Sequence, residues 1–94
     1  MKEYSRKIRK AEARHRYWHI QKSDRDFFPE TDVPFELEFD GNVYDMKINH
    51  KDDIMTGQLY GRRRFLEDDR IVVTRKRKNV YLLEAPDTGL YPGV

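Results

Sequence analysis

The sequence holds no cysteine, which removes thiolate metal sites, disulfides and cysteine nucleophiles together. His15, His19 and His50 lack metal-ligand spacing. The first two are four apart, but Trp18-His19-Ile20 reads as extended chain. Asp45-Met46-Lys47 puts a carboxylate and an ammonium on one strand face, with Asp32 upstream. Such a set can hold Mg²⁺ while the lysine assists an attacking water. In a chain with 17 acids, three such residues are more simply a solvated strand face. Ser5 and Ser23 have no nucleophile elbow, and no G-x-x-x-x-G-K-[ST] phosphate loop occurs. No catalytic residue, metal or cofactor is assigned. Two polar loops remain, Gln21-Lys22-Ser23-Asp24-Arg25 and Asn49-His50-Lys51-Asp52-Asp53. Both mix side chains that reach base edges with short ones that reach phosphates. Ordinary solvated loops share that composition.

The elements that must position these loops belong to one domain, since 94 residues leave little room for a second. Charged residues make up 38% of the chain, against a usual ~25%. The 12 aromatics favour a small aromatic-rich core over disorder. No apolar run is long enough to span a membrane, and the first residues lead into charge, so a cytoplasmic protein without a membrane or small-molecule partner is expected. Net charge is +6 over residues 1–23, −7 over 24–69 and +3 over 70–94. Basic blocks of this kind often contact nucleic acid.

Tyr4, Ile8, Ala11, His15 and Trp18 follow one another at helical spacings, which predicts a frayed helix or a disordered arm over residues 1–16. A strand follows from Tyr17 to Gln21, with Trp18 and Ile20 on one face. Asp40-Gly41 is a two-residue hairpin turn. Pairing outward from it sets Leu37 against Tyr44, Phe35 against Met46 and Val33 against Ile48, apolar on both sides each time. Glu36 then opposes Asp45. Ile54 to Tyr60 reads as a strand with Gly57 marking a bulge. Ile71–Lys76 and Val80–Ala85 form a second hairpin around Arg77-Lys78-Asn79. About six strands with turn signals between them, and no α/β alternation, predict a small barrel or sandwich.

This order of pieces resembles the DNA-binding pseudobarrel family of plant "B-three" domains and of effector or recognition domains of some restriction endonucleases. The resemblance lies in Trp18-His19-Ile20, Arg25-Asp26-Phe27-Phe28-Pro29, Pro34 to Phe39, Asp40-Gly41, Thr56-Gly57, Phe65 to Val73 and Val80 to Leu83. It implies a seven-stranded open barrel that grips the DNA major groove with two arms. Gln21 to Arg25 would be the first and Asn49 to Asp53 the second. Asp69-Arg70 stands where the family has Gly-Asp, and Asp52-Asp53 puts negative charge into the second arm.

The expectation is an all-β fold with minor α: an open pseudobarrel of six to seven strands at 17–86, a basic arm at 1–16 and a tail at 87–94. Its function would be non-enzymatic, sequence-preferring binding of double-stranded DNA. Gln21, Lys22, Ser23, Arg25, Asn49, His50 and Lys51 would read or position bases, with Arg25 bidentate on guanine. Arg6 and Arg9 would meet phosphates. The alternatives are a protein-interaction module with charged docking faces, and a small RNA-binding barrel that stacks bases on Tyr17, Trp18 and Tyr44.

Overall fold

A computed structural model describes residues 3–61 and 64–85. The predicted tail at 87–94 lies outside them. Seven strands appear: β1 (Glu3–Lys7), β2 (Tyr17–His19), β3 (Phe35–Phe39), β4 (Asn42–Met46), β5 (Asp53–Met55), β6 (Arg70–Arg77) and β7 (Val80–Glu84). One short helix, α1 (Lys10–His15), and two 3₁₀ turns, Lys22–Phe27 and Gly57–Gly61, complete the described elements. The all-β expectation with minor α holds. Five strands form one sheet in the order β1-β6-β7-β3-β4, and β2 pairs with β5 in a separate ladder. All pairings are antiparallel except β3 with β7.

The first hairpin forms in the register that its turn dictates. Asp40 and Gly41 both have positive φ, 53° and 80°, as the two central residues of a primed turn require. Phe35 faces Met46, Leu37 faces Tyr44 and Glu36 faces Asp45. Phe35, Leu37, Phe39 and Met46 are buried, while Tyr44 is half-buried against them. The pairing stops at Phe35 rather than running on to Val33. Pro34 has no N–H to donate. Val33 instead closes a turn onto the Glu30 carbonyl and is 37% exposed, while Ile48 bridges Ile54 next to β5.

The aromatic core explains why the 3₁₀ turn Lys22–Phe27 lies where it does. Phe27 and Phe28, at its end, pack against Tyr4, Phe35 and Tyr81. The Tyr81 hydroxyl donates to the Phe27 carbonyl at 2.7 Å. Phe65 meets Trp18 edge-on at 5.8 Å. Gly57–Gly61 is a 3₁₀ turn, not the predicted strand. Leu59 N–H closes onto the Thr56 carbonyl, and this drops Leu59 into the core.

The N-terminal segment also departs from expectation. Residues 3–7 are an edge strand, with Tyr4 opposite Val73 and Arg6 opposite Ile71. A spacing of four places Tyr4 and Ile8 on one helix face, but four is even and serves a strand equally well. Arg6 lies on that same inward face, where the guanidinium meets the Glu12 carboxylate. Glu12 is 2% exposed, and Arg6 is 14% exposed along its side chain. Glu12 also accepts the backbone N–H of Arg9 at 2.9 Å and of His19 at 2.7 Å, while Arg6 donates to the His19 carbonyl at 2.8 Å. One buried carboxylate thus joins β1, α1 and β2. Burial pushes the Tyr4 hydroxyl above its ordinary value, and Arg6 pulls it back.

Three variants test these contacts by urea unfolding. Phe35→Ala lowers stability by about 3–5 kcal/mol, the usual cost of emptying an aromatic core site. Glu12→Gln costs a similar ~3–5 kcal/mol, because Arg6 keeps its charge and loses its partner. Arg9→Ala, an exposed side chain, stays within about 0.5 kcal/mol of the parent.

Candidate nucleic-acid interface

The β2–β5 ladder is short, with Tyr17 opposite Met55, Trp18 opposite Ile54 and His19 opposite Asp53. Alternation sends Trp18 and Ile54 into the core, leaving Tyr17 half-buried and Met55 exposed on the other face. Trp18, at 1% exposure, therefore offers no ring for a base to stack on. The chain enters this ladder through α1, whose last turn carries Arg14 and His15. Arg16 ends the helix in the left-handed region, and its carbonyl accepts Thr56 N–H at 2.9 Å. The chain re-enters at β5 through the 47–52 loop.

That loop is held by its own asparagine. Asn49 Oδ1 accepts the backbone N–H of Lys51 at 2.9 Å and of Asp53 at 3.1 Å, an Asx turn. Asp52 sits at φ 63°, and its N–H bonds the Asn49 carbonyl at 2.9 Å. Between this loop and the end of α1 lies a groove of about 550 Å³. His15 lines one wall and Asn49, His50 and Lys51 the other, with Tyr17, Asp53 and Met55 between them.

The two acids of the loop have partners within the protein. Asp52 Oδ1 accepts Arg25 Nε at 3.2 Å, and Asp53 Oδ1 lies 2.7 Å from His19 Nδ1. His50 Nε2 lies 3.0 Å from Asp32, an exposed pair of small energetic weight. Among the described residues, no three His, Cys, Asp or Glu side chains cluster closely enough to hold a metal ion.

The sequence-predicted residues divide accordingly. Asn49, His50 and Lys51 come together in the groove. Gln21, Lys22 and Ser23 are exposed at the start of the first 3₁₀ turn and do not line it. Arg25 is a tie between loops. Besides Asp52, its guanidinium donates to the Pro29 carbonyl at 3.0 Å and to Thr31 Oγ1 at 3.3 Å. Arg6 is likewise engaged by Glu12. Arg9 is exposed beside a second hollow of about 340 Å³, which Gln21 and Arg6 also line. Sequence reading missed His15 and Met55 as binding residues and named Tyr17 only as a stacking platform in the RNA alternative. Their signal was present in the alternation of β2 and β5, which assigns Tyr17 and Met55 to a face opposite the core. Arg16 lies over the Tyr60 ring at 5.2 Å, and burial raises the Tyr60 hydroxyl while Arg16 opposes that rise.

No family model and no curated protein matches the sequence. Among solved structures, the chain is similar to the N-terminal domain of Helicobacter pylori LlaJI.R1. The two share a TM-score of 0.69 and 18% identity over 89% of this chain and 86% of that one. At that identity the likeness concerns the fold: an open, mostly antiparallel arrangement of strands with the same overall course.

Proposed function

We propose that this chain is a non-enzymatic domain that binds double-stranded DNA and prefers some sequences over others. It would engage the major groove along the hollow between the end of α1 and the 49–53 loop. The observation that carries the reading is this groove. Its walls hold donors and cations, its floor is apolar, and the nearby acids already have internal partners. The shared fold with a domain of LlaJI.R1, and the pseudobarrel resemblance read from the sequence, support the same reading.

Roles follow from geometry. Lys51 is exposed on the groove, Arg14 and Arg16 are exposed on either side of His15 in the chain, and all three suit phosphate contact. Arg9, Gln21, Lys22 and Ser23 extend that polar surface over the neighbouring hollow and turn. His50 and the Asn49 amide nitrogen suit base edges. Arg25 and Arg6 act at one remove, by holding the 3₁₀ turn, the loop and β2 in place. Stacking of single-stranded bases is disfavoured by the burial of Trp18.

The test is affinity for a duplex selected from a random pool and for a scrambled duplex, each at two salt concentrations. Lys51→Ala and Arg14→Ala should weaken both complexes alike, and each should lower the salt slope by about one. Arg25→Ala should also weaken both alike and lower thermal stability, because it unties the loop. A loss confined to the selected duplex would return Arg25 to direct base reading. Failure of the parent protein to bind any duplex at low ionic strength overturns the DNA reading and favours a protein partner.

A further inference from the structure

Four large apolar side chains stand out as exposed among the described residues: Val33, Val43, Met55 and Leu66. Met55 alone of these lines the groove, at 55% exposure. It is paired in register with Tyr17, so thioether and phenol ring form one apolar strip on the floor. With polar side chains on either wall, this strip offers an apolar group of a ligand a place out of water.

The polar groups beside that strip narrow the choice. Lys51 has donors and no acceptor. Asn49 has both lone-pair positions of Oδ1 taken by the N–H groups of Lys51 and Asp53, which leaves its amide nitrogen to donate. It cannot make the two-sided contact to adenine that a free asparagine makes. Asp53 is 15% exposed along its side chain and holds His19, while the Tyr17 hydroxyl and the His15 and His50 rings can donate or accept. Next to the apolar strip, Lys51 and the Asn49 amide nitrogen therefore offer donors alone. On the major-groove edge of DNA, thymine alone joins an acceptor, O4, to a methyl group, on C5. Cytosine presents an N4 donor there and no methyl.

We infer that Met55 and Tyr17 read the C5-methyl group of a thymine, with Lys51 and the Asn49 amide nitrogen facing its O4. This rests on the proposed duplex binding and adds the base that the groove selects.

The experiment replaces each thymine of the selected duplex, one at a time, by deoxyuridine, which keeps O4 and loses only the methyl. At one position the parent protein should bind about fourfold more weakly, the equivalent of ~0.8 kcal/mol for one buried methyl. Met55→Ala should bind thymine and deoxyuridine duplexes equally, and Met55→Leu should restore the difference. Because Met55 is exposed, these variants keep the parent's melting temperature. At that same position, 5-methylcytosine opposite guanine should bind more weakly than thymine, since its N4 donor meets donors. Firm duplex binding with no position sensitive to the methyl, or a selected site without thymine, overturns the inference and leaves DNA binding standing. Full methyl sensitivity in Met55→Ala overturns it too. Equal or tighter binding of 5-methylcytosine overturns the assignment to thymine. Absence of binding to any duplex overturns the DNA reading itself, and this inference with it.

Discussion

The Glu12 carboxylate is the contact on which the site depends. Taking a carboxylate out of water costs several kcal/mol, which only close partners can offset. Glu12 has three: the Arg6 guanidinium and the backbone N–H groups of Arg9 and His19. Each comes from a different piece of chain. Satisfying that one group therefore sets β1 on the sheet edge, fixes where α1 starts and seats β2 beside it. The α1 turn is only six residues long, too short to persist by itself. Its cations hold their place by the groove because the chain on either side of the helix is tied to one buried charge.

Arg25 does for the second half of the site what Arg6 does for the first. Both guanidiniums look from sequence like surface cations available to a polyanion, and both are occupied inside the protein. This resolves the uneven charge layout of the chain. The acidic middle contributes internal partners for basic groups both within and outside it: Asp52 for Arg25, Asp53 for His19 and Glu38 for Lys76. Lys51, exposed on the groove, then sits beside acids that already have partners within the protein. A uniform count of charge would have placed repulsion there.

What was legible in the sequence shared one property: several local signals agreed. At Asp40-Gly41 the turn chemistry and the period-two alternation demand a single register, and that register forms. Strand β2 was legible because Trp18 and Ile20 alternate against Tyr17 and His19. Where one signal stood alone, it misled. The four-residue step from Tyr4 to Ile8 fits helix and strand alike, and a long-range partner, β6, decides between them. Around Gly57, alternation was interrupted by residues that favour turns, and a local Leu59-to-Thr56 bond displaced the strand. For the site, residue type picked out the Asn49–Lys51 loop, and those residues line the groove proposed as the site. Type could not show that Arg25 has three internal acceptors, since those lie at Pro29, Thr31 and Asp52. Nor could it show that α1, not the Gln21 turn, forms the opposite wall. That placement depends on β2 and β5 pairing across more than thirty residues of chain.

The β2–β5 ladder is small, and its size suits what it carries. Three residue pairs cannot stand alone as a sheet. They persist because Trp18, Ile54 and Ile48 are buried beneath them, and because hydrogen bonds from Ile20 to Asp52 and from Thr56 to Arg16 clamp both ends. The outward face is thereby held by the core rather than by its own loops. A binding surface so held loses little freedom on meeting a ligand, which keeps the ordering cost of association low. The side chain free to adjust is the exposed Lys51 on the wall, and a phosphate contact there, as proposed, tolerates small changes of position. The strip of Tyr17 and Met55 has no such latitude at the backbone level, because its register is set by the buried pair beside it. Under the proposed duplex binding, rigid floor and adaptable walls divide the work: the floor discriminates by shape, while the walls supply attraction.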